Sequence, residues 1–162
     1  MIPEPGGEIV VVTGGASGIG EACCRVLVRD GWRIVVVDLR ADAAEKIAKE
    51  LGGHAYVADV AQAAQLAEVA ETIEREVGPV YGLVNSAGVV QHPLPPEELT
   101  MEAWDNVINI DQRGTYVASV AFGRFMAARG AGNIVNIASI TGMRSVWSGS
   151  ATWRSVSPLW PG

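Results

Sequence analysis

Four short stretches of this chain hold residue types that could bind a phosphate-bearing ligand and present a group to it. The first is Thr13-Gly14-Gly15-Ala16-Ser17-Gly18-Ile19-Gly20. A β-branched run, EIVVVT, precedes it and a helical pattern follows at once. A glycine-rich strand-to-helix turn lets the backbone approach a pyrophosphate, and the helix N-terminus adds free N–H groups and partial positive charge. An ordinary glycine-rich turn is the bland alternative; the strand before it and the helix after it favour phosphate binding. The second stretch ends in Asp38, 18 residues after Gly20. A carboxylate there can accept hydrogen bonds from the adenosine ribose hydroxyls and would repel a 2′-phosphate, so NAD is favoured over NADP. Arg40 works the other way, because a nearby guanidinium can accommodate that phosphate. Asp38 could instead cap the next helix, a role for which Asp42 competes. The third stretch is Asn85-Ser86-Ala87-Gly88, and the fourth delivers Ser139 at the end of NIVNIAS.

The elements that must position these residues are legible in the pattern. EIVVVTGG reads as a buried strand, and the helix from Ile19 to Asp30 is stopped by Gly31. RIVVVD, HAYVADV, VYGLVNSAG and NIVNIAS read as four more strands. ADAAEKIAKEL and AQAAQLAEVAETIEREV read as helices, and Met101 to Arg129 as largely helical with a break near Asp111. The strands are continuously apolar, as when both faces of a sheet are covered. Five strands alternating with helices predict an α/β fold with a doubly wound, Rossmann-type parallel sheet and right-handed crossovers. The predicted domain covers residues 1–146. Residues 147–162 are rich in Trp, Ser, Pro and Gly, lack periodicity, and read as an irregular tail.

Composition narrows the function classes. A chain of 162 residues with 49% hydrophobic and 19% charged residues reads by default as one domain, with the composition of a soluble globular protein. A net charge of -6 supplies no basic stripe for nucleic acid and little attraction to an anionic membrane. No apolar run approaches a membrane span, and the N-terminus lacks a secretory leader pattern. Cys23 and Cys24 are adjacent, which disfavours a mutual disulfide and fits a reduced cytoplasmic setting. His54 and His92 stand apart, so no metal site is expected.

The order of motifs resembles the short-chain dehydrogenase/reductase family, over about residues 8 to 145. TGGASGIG is similar to that family's cofactor turn, which assigns Gly14, Ser17, Gly18, Ile19 and Gly20 to the cofactor, with Asp38 on its ribose. Asp59-Val60 resembles the family's adenine-contacting pair. Asn85-Ser86-Ala87-Gly88 resembles its NNAG element, with Ser86 in place of the second Asn; Asn85, Ala87 and Gly88 would line the cofactor groove. Asn109, in NVINIDQRGTY, is placed by the resemblance at the Asn that supports a proton relay, and Ser139 at the Ser that binds the substrate oxygen. Taken singly, Asp59 could be a helix cap, Asn109 a helix kink and Ser139 a turn serine; together they make the family reading the better one. It implies reversible hydride transfer between NAD (NADP less favoured) and a secondary alcohol or ketone, a small-molecule substrate, and a homo-oligomeric parent.

The chain departs from the family where the family's acid–base pair is due. A Tyr is expected about thirteen residues after Ser139 and a Lys four further on. Thr152 and Val156 stand there. The only tyrosines are Tyr56, Tyr81 and Tyr116, and the only lysines Lys46 and Lys49. Without that pair the chain is expected to be inactive or nearly so, since a general acid–base contributes ~10²–10⁴-fold. The aperiodic tail reads as a segment translated out of frame, the fifth strand is expected to have a bare edge, and the subunit interface is expected to be incomplete. The alternatives are a noncatalytic NAD-binding module and, more remotely, a Rossmann-type nucleotide-sugar epimerase.

Overall fold

The computed structural model of the chain describes residues 7–90 and 96–139. Strands β1 (Ile9–Thr13), β2 (Arg33–Asp38), β3 (His54–Val57), β4 (Val80–Asn85) and β5 (Asn133–Asn136) form one sheet in the order β3-β2-β1-β4-β5. Every pairing is parallel. Helices α1 (Gly18–Arg29), α2 (Ala41–Leu51), α3 (Ala63–Glu76), α4 (Met101–Val107) and α5 (Thr115–Arg129) fill the connections. This is the doubly wound sheet that the alternating pattern predicts. The irregular tail expected at residues 147–162 lies outside the described residues.

The apolar strands explain the layering. Successive side chains of a strand point to opposite faces. Ile9, Val11, Val35 and Val37 therefore pack on one side, with Leu66, Ile73, Phe122 and Met126 of α3 and α5. Val10, Val12, Ile34 and Val36 pack on the other, with Cys24, Ala44 and Ile47 of α1 and α2. β1, β2 and β4 are almost wholly buried, whereas β3 and β5 lie at the edges. All four residues of β5 are exposed. Among the described residues no strand pairs with its outer side.

The break expected near Asp111 is instead a change of helical winding. A π-helix (Ile108–Gly114) joins α4 to α5 without interrupting the rod. The wider i→i+5 turn absorbs an extra residue, and such turns recur at functional sites. Gly114 lets this turn sit against β3's continuation: a Cβ there would lie 2.7 Å from Val60 Cγ2. α4 is started by Thr100, whose Oγ1 accepts from Ala103 N at 3.2 Å.

One nearly buried carboxylate ties the α3–α5 layer to the sheet. Glu74 Oε1 accepts from Val80 N at 3.0 Å, and Oε2 accepts from Arg129 Nη1 at 2.8 Å. Arg129 Nη2 donates in turn to Val80 O at 2.6 Å. With its side chain only 12% exposed, Glu74 leaves two donors unpaired when it is truncated. Glu74→Ala should therefore cost about 1–3 kcal/mol, and Glu74→Gln less, because the amide oxygen still accepts from Val80; denaturant midpoints check both.

Cys24 gives a second prediction. It lies beneath the glycine-rich turn, and burial pushes its thiol up from 9.0 to about 12. The unfolded thiol ionises at lower pH than the folded one, so the unfolded state binds fewer protons between pH 9 and 12 and stability falls as pH rises through that range. Denaturant midpoints measured across it should fall more for the parent chain than for Cys24→Ala.

Candidate functional site

The sheet order places a reversal of direction beside β1. From β1 the chain winds through β2 and β3 to one edge, then returns to place β4 and β5 on the other side of β1. In such sheets ligands bind beyond the carboxyl ends of the strands at that reversal. A groove of about 740 Å³ opens there, between the glycine-rich turn, the ends of β2 and β3, the Ser86–Val90 loop, the π-helix and Ser139.

Backbone contact builds its floor. Thr13 is buried, and its Oγ1 accepts from Ser86 N at 3.3 Å and Ala87 N at 3.4 Å. Gly14 follows with φ +65°, a left-handed conformation that favours glycine. A Cβ there would lie 2.7 Å from Cα and N of Ala87, so the two turns touch main chain to main chain. A Cβ at Gly20 would run into the Gly14 carbonyl oxygen, so α1 also starts directly against the turn. The cradle this leaves is one that side chains would fill, which fits a pyrophosphate.

Asp38 is 8% exposed and turned toward that cradle. Its Oδ2 accepts from Ala16 N at 3.1 Å, and its Oδ1 accepts from Arg40 N at 3.0 Å. It does not cap α2, whose N-cap position is Arg40. Asp59 combines two roles: it lines the groove, and its Oδ1 accepts from Ala61 N at 2.9 Å in the turn that leads into α3. Val60 lines the groove beside it. Ile19, Leu39 and Val90 also line it and are 61%, 67% and 85% exposed, an apolar rim suited to aromatic ring faces.

Of the residues singled out in the sequence, Gly14, Ser17, Gly18, Ile19, Asp38, Asp59, Val60, Ala87, Gly88 and Ser139 all line this one groove. Gly20 and Asn85 stand behind it. Asn85 is 3% exposed, and its Nδ2 donates to Ser119 Oγ at 3.0 Å and to Asn136 Oδ1 at 2.8 Å, tying β4 to α5 and β5. Asn109 is half-buried on the π-helix and is not among the lining residues. Two residues further on, Asp111 is: its Oδ1 accepts from Val89 N at 2.8 Å. The only sequence signal for Asp111 was the expected helix break. None of Tyr56, Tyr81 and Tyr116 lines the groove.

Comparison with known proteins agrees with this geometry. The family model for short chain dehydrogenases matches residues 8–151. The chain belongs to this family. It is 41% identical over 138 residues to D-threitol dehydrogenase of Mycolicibacterium smegmatis, an alignment covering 82% of this chain and 53% of that protein. It is 40% identical over 141 residues to galactitol 2-dehydrogenase (L-tagatose-forming) of Cereibacter sphaeroides, covering 84% and 54%. A solved structure described as ribose-5-phosphate isomerase from Brucella melitensis 16M superposes with a TM-score of 0.86 at 45% identity, covering 94% of this chain and 57% of that one. The chain thus spans about half the length of the curated relatives it matches. Short-chain dehydrogenases are oxidoreductases that use NAD(P).

The contacts at the floor and at Asp111 are open to test. Gly14→Ala and Gly18→Ala both place a side chain at positive φ, at about 1–2 kcal/mol each. Only Gly14→Ala also meets the backbone of Ala87, while a Cβ at Gly18 meets nothing within 4 Å. Gly14→Ala should therefore lower the denaturant midpoint clearly more. Asp111→Ala should speed hydrogen exchange at the Val89 amide about tenfold, the equivalent of about 1.4 kcal/mol, whereas Asp111→Asn keeps an acceptor and should change it little.

Proposed function

We propose that the groove binds NAD and is the cofactor half of a site that, in the parent enzyme, transfers hydride reversibly to and from a secondary alcohol of the polyol kind. The observation that carries this reading is the main-chain contact of Gly14 with Ala87 beside the inward-turned carboxylate of Asp38. Asp38 would hold the adenosine ribose. The turn from Gly14 to Gly20 would hold the pyrophosphate with backbone N–H groups and the N-terminus of α1. Asp59 and Val60 would flank the adenine, and Ala87 and Gly88 the path toward Ser139. The nicotinamide supplies the hydride acceptor or donor. Ser139, which lines the groove, would hold the substrate oxygen, and Asp111 would hold the Ser86–Val90 loop in place through Val89.

The polyol class is carried over from the D-threitol and galactitol dehydrogenases. The isomerase name of the Brucella structure is not carried over. An aldose–ketose isomerisation needs only proton transfers, which leaves a dinucleotide cradle without a task.

The 162 residues contain no Tyr or Lys after Ser139. The chain by itself would then hold the dinucleotide without turning substrate over at an ordinary rate, and act as a binding module. Asn109, expected from the resemblance in a proton relay, is not among the described residues that line the groove.

Thermal unfolding with and without NAD tests the binding half. A ligand at 100 times its Kd should add about 2.7 kcal/mol of stability; no shift in Tm at millimolar NAD would sink the reading. Absorbance of the reduced nicotinamide, followed with threitol or galactitol, tests the other half. The expected rate is at least ~10²-fold below an ordinary enzyme's ~10 s⁻¹, and turnover near 10 s⁻¹ would contradict it.

A further inference from the structure

The outer edge of β5 leaves main chain unpaired beside apolar side chains. Ile137 N donates to Asn85 O at 2.9 Å, so the backbone of Ile137 is turned toward β4. Successive peptide groups of a pleated strand point in opposite directions. Val135 and Asn133 therefore turn their N–H and C=O groups toward β4 as well, and Ile134 and Asn136 turn theirs outward. Among the described residues no strand takes these groups up. Prolines, charges and bulges ordinarily keep such an edge from pairing. β5 has no Pro and no charged residue, and its register with β4 runs without a bulge.

The side chains along this edge are apolar and free of acidic charge. Val135, Ile134 and Ile137 are 49%, 37% and 37% exposed. Gly123 brings α5 close to β5, because a Cβ there would lie 3.3 Å from Ile134 Cδ1. Val120 and Tyr116 share that side of α5 by their spacing and are exposed too. The chain carries a net charge of -6, yet none of its 18 Asp and Glu residues lies between Thr115 and Ser139. Arg124 and Arg129, the charged residues of that stretch, are paired with Glu71 and Glu74. Two acidic copies can meet here without the cost of facing like charges. A strand edge alone falls short of the about 1,000 Å² that a specific interface buries, and the exposed side chains of α5 extend it.

We propose that β5 docks on β5 of a second copy of this chain, antiparallel, about a two-fold axis at Val135. In that register Ile134 faces the partner's Asn136, and these outward-turned residues exchange both N–H···O bonds. Val135 meets the partner's Val135 as a non-hydrogen-bonded pair, the closer of the two kinds, where β-branched side chains pack well. A register shifted by one residue would set outward-turned groups against inward-turned ones and form no ladder. The sheet then runs through both copies.

Sedimentation equilibrium of the full chain tests this, with the parent and Val135→Lys. The parent should show twice the monomer mass at micromolar concentration. Val135→Lys should weaken the pair tenfold or more, because two lysines then face each other at the axis. Circular dichroism confirms that the variant folds. Oxidative cross-linking tests the register separately. Val135→Cys should give a covalent dimer, since the facing Cα atoms of such a pair stand about 4.5 Å apart. Asn133→Cys should not exceed the background of the parent, because its counterpart lies about 14 Å away along the strand. A monomer at every concentration, the result if residues 140–162 cover the edge, overturns the proposal. So do a pair that Val135→Lys leaves intact, assemblies larger than two, or equal cross-linking from positions 133 and 135.

Discussion

The groove depends on how closely three backbone segments approach one another at the carboxyl ends of β1 and β4. Gly14 touches the main chain of Ala87, α1 begins against the carbonyl of Gly14, and Thr13 holds Ser86 and Ala87 through its hydroxyl. No side chain fits between these segments. That leaves backbone N–H groups and a helix N-terminus as the surface offered to a ligand, and such a surface suits phosphate. The apolar core on both faces of β1 supplies the rigidity, because close-packed interiors resist small displacements. Stability and function thus meet in a few residues.

Electrostatics then divide the groove into a polar floor and an apolar rim. Asp38 is buried but bonded to Ala16 and Arg40, so its charge is held rather than left isolated. Ile19, Leu39 and Val90 expose apolar surface around it. A ligand with flat rings at its ends and charge in its middle would cover the rim and meet the floor. Asn85 supports this from behind by joining β4 to α5 and β5.

Much of this was legible in the sequence because it is local. A β-branched run into TGGASGIG, or RIVVVD ending in a carboxylate, states its element and its exposed end within a few residues. The same locality made the order of strands and helices readable. What was hidden depends on contacts between distant segments or on helical phase. The place of Asp111 in the groove, and of Asn109 outside it, is set by the π-helix, whose phase differs from that of an ordinary helix. The role of Thr13 requires knowing that residues 86 and 87 arrive beside it. The contact of Arg40 with Ser17 crosses from β2 to the first turn and follows from packing, not from spacing.

The most direct measurement of the central claim is a crystal structure of this chain with NAD bound. The account predicts the adenosine ribose hydroxyls within hydrogen-bond distance of Asp38, the pyrophosphate against the backbone from Gly14 to Gly20, and the nicotinamide end running past Ala87 and Gly88 toward Ser139. A dinucleotide seated elsewhere on the molecule, or one in this groove with Asp38 turned away from the ribose, would contradict it.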